Sequence, residues 1–127
     1  MQTLIFETAW DKTIAPRDRE QIEALFIETK ELFNEGIHFI PIRQAVNHRG
    51  DLLISVLIHN FSQEDYLFDK KTLQYTWKEK IVASHTFTLP FHIIKHHTSM
   101  PWTFIFPKET CVTTNNFTNG EIKLINP

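Results

Sequence analysis

One run constrains this chain more than any other: LLISVLIHN, residues 52–60. In an extended segment Leu52, Ile54, Val56 and Ile58 fall on one face, while Leu53 and Leu57 fall on the other. A strand that is apolar on both sides belongs in the middle of a sheet with cover above and below. The fold must therefore supply this strand with two neighbours and two covering layers.

The flanking sequence suggests what those are. IHFIPIRQAV precedes it, joined by NHRGD, and reads as a partner strand connected through a turn of about five residues. Further short runs follow: YLF near Tyr66, LQYTW at 73–77, IVASHTFTL at 81–89, and a last strand after an Asn119-Gly120 turn. Strands this short, with turn residues every 8 to 12 positions, predict a small antiparallel sandwich. The second cover is a helix. Over residues 16–33, Ile22, Leu25, Phe26, Thr29, Leu32 and Phe33 recur at helical spacing, with Pro16 suited to the first turn and Gly36 to the stop.

The run SMPWTFIFPKE, residues 99–109, sets Trp102, Phe104 and Phe106 on one face and Thr103 and Ile105 on the other. The aromatic face reads as a core rib. Pro101 and Pro107 read as the points where ladder pairing stops and where extension by another chain is blocked.

At 127 residues the chain fits one domain, spanning 1–127, that buries roughly 65–70% of its unfolded surface. The net charge of −2, with both signs intermixed, gives no footprint for nucleic acid or an anionic membrane. No apolar run approaches the ~20 residues of a membrane span, and MQTLIFETAWDK lacks the basic start of a signal peptide. Cys111 is the single cysteine, which suits a reducing compartment. These features predict a cytoplasmic protein that does not insert into membranes.

Chemistry has few footholds. In HIIKHH, His92 precedes His96 by four positions and His97 is adjacent, a spacing that would share a metal on a helix; Pro90 and the intervening isoleucines favour a solvated loop instead. Cys111 lacks a glycine or helix start to activate its thiol. Glu64 and Asp65 fall in a turn, and Glu28 and Glu31 on the charged helix face. Three glycines, Gly36, Gly50 and Gly120, make no phosphate loop. The expectation is no enzymatic activity, no metal and no cofactor.

The residues also carry a resemblance. A tryptophan ahead of the helix (Trp10), a GI-F-PI opening strand (Gly36, Ile37, Phe39, Pro41, Ile42), a G-LL-V-LI-N centre (Gly50, Leu52, Leu53, Val56, Ile58, Asn60) and an S-PW-F-FPKE close (Ser99, Pro101, Trp102, Phe104, Phe106, Pro107, Lys108, Glu109) resemble the SLAP domain of accessory Sec system S-layer assembly proteins from Bacillus-type Firmicutes. The resemblance implies a non-enzymatic protein-interaction module that binds a surface-layer client or a component of an export or envelope assembly, and it allows association with membrane or envelope; the sequence departs from the family's duplicated domains in carrying a single copy. Gly36, Pro41, Gly50, Pro101, Trp102, Phe104, Phe106 and Pro107 form its structural signature.

The combined expectation is an α+β, Ig-like antiparallel β-sandwich with one amphipathic helix near the N-terminus packed on a sheet face or edge. Open strand edges make strand addition and a homodimer plausible modes of association. Trp10, Tyr75 and Trp77 are the partner-binding candidates if exposed, because aromatic residues carry a large share of interface energy. The alternative function is a small-ligand or carbohydrate-binding sandwich, which requires the face of Trp102, Phe104 and Phe106 to be accessible.

Overall fold

The computed structural model describes residues 1–112 and 120–125. In chain order its elements are β1 (Thr3–Leu4), α1 (Thr8–Thr13), α2 (Pro16–Thr29), β2 (Ile37–Val46), β3 (Leu52–Asn60), β4 (Tyr66–Leu67), β5 (Lys71–Trp77), β6 (Lys80–Phe87), β7 (Ile93–Ile94), β8 (Thr98–Phe106) and β9 (Glu121–Leu124). A 3-10 turn, Lys108–Thr110, follows β8. One sheet runs β1-β8-β3-β2, a second β6-β5-β9, and β4 pairs with β7. The α+β sandwich-like architecture is the one the alternation predicts.

The doubly apolar run is the centre of the larger sheet. β3 pairs antiparallel with β8 from Leu52↔Phe106 to Asn60↔Thr98 and with β2 from Val46↔Leu52 to Ile37↔Asn60. Its even-numbered face, Leu52, Ile54, Val56 and Ile58, joins Phe68, Leu73, Phe104 and Phe106 in the main core between the sheets. Its other face sets Leu57 against Ile22 and Phe26 of α2 in a second core. Full burial of a side chain such as Leu or Phe is worth about 1.5–3 kcal/mol, which fixes the register: a one-residue slip would exchange the two faces.

The aromatic run behaves as a rib. Phe104 and Phe106 are buried, and Phe87 packs edge-on to both at about 5 Å. Trp102 is half-buried on the same face, edge-on to Phe91 at 5.2 Å.

Four details depart from the sequence reading. First, β1 pairs parallel to β8, so the sheet is mixed rather than purely antiparallel; Thr3 N–H donates to the His97 carbonyl (2.9 Å) and Ile5 N–H to that of Ser99 (2.8 Å). Second, Trp10 lies on a short helix of its own, α1, started by the Glu7 carboxylate accepting from Ala9 N–H at 2.6 Å. Arg19 ties α1 to α2 by donating to the Asp11 carboxylate at 2.7 Å. Third, α2 ends at Thr29. The Thr29 hydroxyl donates back to the Leu25 carbonyl, and Leu32 and Phe33 leave the helical path, Phe33 stacking on the His38 ring with centroids 3.8 Å apart. Gly36, at φ +84°, is therefore the bend into β2 and not the helix stop.

Fourth, Pro101 lies inside β8, opposite Leu57, instead of ending it. The bonds from Thr3 and Ile5 show that His97 and Ser99 turn their backbone groups away from β3. By alternation Pro101 does the same, so its missing N–H removes no rung from the β3–β8 ladder. Pro107 does end the strand. Asn119 lies outside the described residues, while the last strand it was expected to introduce is present as β9.

Candidate binding groove

β2 and β9 are the facing edges of the two sheets, and among the described residues they are pinned together at one end. The Tyr75 hydroxyl donates to the Gln44 side-chain carbonyl and accepts from the Gly120 N–H at 3.1 Å. The recess there holds about 160 Å³. Beyond it lies a groove of about 700 Å³ lined by Ile37, Phe39, Tyr66, Ile122, Lys123 and Leu124 among others.

The ladder phase shows which backbone groups face this groove. Phe61 N–H donates to the Gly36 carbonyl at 2.9 Å, which makes Gly36 and Phe61 a hydrogen-bonded pair in the β2–β3 register. Bonded and non-bonded pairs alternate in an antiparallel ladder. His38 and Ile40 therefore bond to β3, and Ile37 and Phe39 direct their N–H and C=O groups off the open edge. On β9 the bond from Ile125 N–H to the Thr72 carbonyl (2.9 Å) sets the phase against β5, so Ile122 and Leu124 direct theirs outward in the same way. Pro41, the next outward position on β2, has no N–H, and a bulge between Pro41 and Arg43 breaks the ladder.

Tyr66 adds a further group. Its hydroxyl oxygen is buried and has no hydrogen-bond partner among the described residues, and burial pushes its pKa above the usual phenol value. Lys71 Nζ lies 5.4 Å over its ring. The groove thus offers apolar side chains, ladder groups from two edges that have no partner among the described residues, the Tyr66 ring and nearby lysines.

The expected anchors are placed unevenly. Tyr75 is 3% exposed, so it is a core residue that pins the two edges and cannot be an exposed anchor. Trp10 is half-buried against the α2 core, and Trp77 half-buried against the main core with Lys78 Nζ 4.7 Å over its ring. With Phe104 and Phe106 at 1% and 0% exposure, the aromatic stripe is not an open platform, which removes the condition set for ligand or carbohydrate binding there.

The histidine run does not form a helix. His92 and His97 adopt positive φ, 59° and 53°, around the strand Ile93–Ile94, so His92 and His96 are not one helical turn apart. His96 bonds instead to the Asp65 carboxylate, through its ring at 2.7 Å and its N–H at 2.9 Å; these bonds hold the Asp65 pKa below the usual carboxylate value. Among the described residues no three His, Cys, Asp or Glu side chains gather as a metal site. The Cys111 thiol contacts the Pro107 carbonyl at 3.5 Å, and burial raises its pKa, the opposite of what activates a nucleophile.

Several signature residues hold the frame. Asn60 donates to the Glu64 and Ile94 carbonyls (3.0 and 2.9 Å) and accepts from Ser62 N–H, fixing the exit from β3. At the β2–β3 turn the Asn47 side chain accepts from Arg49 and Asp51 N–H, both at 2.9 Å, Gly50 takes φ +90°, and the Asp51 carboxylate accepts from Lys108 N–H at 2.9 Å. The turn is thereby tied to the FPKE segment.

Among the described residues no helix is long and apolar enough to cross a membrane. Neither a curated protein nor a solved structure matches the chain. The family model described as SLAP domain, named for the accessory Sec system, matches residues 4–125, and with nearly its whole length matched the chain belongs to the SLAP domain family.

Proposed function

We propose that this protein is a non-enzymatic interaction module that binds a surface-layer client, or a component of an export or envelope assembly, on the cytoplasmic side of the membrane. Family membership supports the association with S-layer proteins and the accessory Sec system. The observation that carries the binding role is the incomplete closure of the sandwich: two sheet edges, pinned at Tyr75, part to leave an apolar groove of about 700 Å³. Protein clients are recognised at such edges because backbone hydrogen bonding tolerates varied sequences. Trp10 and Trp77, each half-buried, serve as supporting contacts.

Affinity purification of the tagged chain from its native host, with cytosol and envelope fractions resolved by mass spectrometry, tests the role. Surface-layer proteins or export components enriched over an untagged control are the expected result, with yield reduced by Trp77→Ala. Recovery of neither class from either fraction overturns the proposal.

A further inference from the structure

We infer that the groove takes an extended polypeptide segment of a partner protein, which adds to β2 as a strand beside Ile37 and Phe39 and meets Ile122 and Leu124 of β9 on its other side. The inference rests on the interaction role proposed above and gives it a site and a mode. The outward N–H and C=O groups follow from the ladder phases set by the Phe61–Gly36 and Ile125–Thr72 bonds. Their repeat, one donor and one acceptor at every second residue, matches an extended polypeptide backbone and no sugar or lipid.

The same geometry limits the segment. β2 offers two complete rungs before Pro41 and the bulge close the edge, so the inserted part is about five residues, roughly 17 Å long. Side chains on its inner face meet Ile37, Phe39, Ile122 and Leu124, which pack partly buried against the main core, and are apolar. The Tyr66 ring lines the groove, and its hydroxyl, buried without a partner among the described residues, gains an acceptor when the ring tips outward and donates to a carbonyl or hydroxyl of the segment. Lys123 lines the groove and Lys71 stands over Tyr66, which favours an acidic residue at the segment's end. Proline inside the segment is excluded, because it would remove a donor.

The test begins with a random dodecapeptide library displayed on phage and selected on the full chain. Enriched peptides are expected to be proline-free and alternately apolar, with Asp or Glu at one end. In an amide NMR titration they should shift Ile37, Phe39, Ile122 and Leu124. N-methylation of alternate peptide residues that pair with β2 should weaken binding about tenfold or more, and methylation of the intervening ones much less. Tyr66→Phe, which keeps the ring, should weaken binding several-fold.

Enriched peptides that shift amides elsewhere, or that bind equally when N-methylated, overturn the inference, as does a library that yields no binder. A concentration-dependent dimer that covers the Ile37 and Phe39 amides also overturns it, because a second copy would then be the occupant. The two proposals fail separately. Host clients captured without groove shifts leave the secretion role and remove strand addition; groove binding without surface-layer or export clients does the reverse.

Discussion

The ring of His59 meets the hydroxyl of Thr29 at 2.7 Å between Nε2 and Oγ1, and this bond joins the central strand to the last turn of α2. Because Thr29 spends its proton on the Leu25 carbonyl, it accepts from Nε2–H. The other ring nitrogen, Nδ1, lies 2.6 Å from Ser99 Oγ and accepts its proton, while Ser99 accepts from Gln2 at 2.9 Å. The network assigns a neutral imidazole with every nitrogen satisfied, and His59 is 0% exposed.

Stability should consequently fall in mild acid. Burial, and then the charge of nearby His38, lower the His59 pKa from 6.5 to about 4. Between those values the unfolded chain holds the proton and the folded chain does not, so stability declines as pH falls from about 6.5 towards 4, by up to about 3 kcal/mol. The lowered carboxylates Asp51 and Asp65 act in a lower window, below the ordinary Asp value of 3.8. Urea midpoints at pH 7 and pH 4.5 should differ clearly in the native sequence and much less in His59→Gln.

Gly50→Ala tests the tied turn. A Cβ at φ +90° would sit 3.0 Å from Lys108 Cδ, so backbone strain dominates and the variant should lose about 1–3 kcal/mol. A thermal midpoint equal to that of the native chain would show that the turn relaxes freely.

Adjacent positions on β8 should respond oppositely. Phe104 is 1% exposed and Ile105 is 46% exposed; Phe104→Ala should cost about 3–5 kcal/mol, and Ile105→Ala under about 1 kcal/mol. Similar losses in urea unfolding would contradict the two-faced rib.

Tyr75→Phe should loosen the closed end of the groove. It removes the hydroxyl that bridges Gln44 and Gly120 and should cost about 1–3 kcal/mol, because the buried Gly120 N–H loses its acceptor. Faster hydrogen exchange at Gly120 than in the native chain is the expected local sign; unchanged exchange and stability would mean that packing alone pins β9.

Much of this could be read in order along the chain. The two-faced pattern from Leu52 to Ile58 placed β3 centrally, and the alternation of Trp102, Phe104 and Phe106 placed the rib. The groove was harder to see. Tyr75 and Trp77 are equivalent in a sequence, both aromatic and on one strand, yet only Tyr75 is buried, inside the main core, where its hydroxyl reaches Gln44, 31 positions away. Pro41 was the nearest signal of the open edge, since proline inside a strand implies an outward position.

Local periodicity by itself determined the helix, the main strands and which faces they bury, because side-chain alternation follows directly from backbone geometry and the hydrophobic effect acts on each face. The sequence also carries, apart from any periodicity, the motifs by which the chain belongs to the SLAP domain family. Only the tertiary structure decided that β1 runs parallel to β8, that α2 stops at Thr29 to meet His59, and that β2 and β9 part beyond Tyr75. Each of these depends on hydrogen-bond partners brought together from distant positions, and ladder phase, unlike hydrophobic period, is marked only where a proline, lacking its N–H, is confined to an unbonded position.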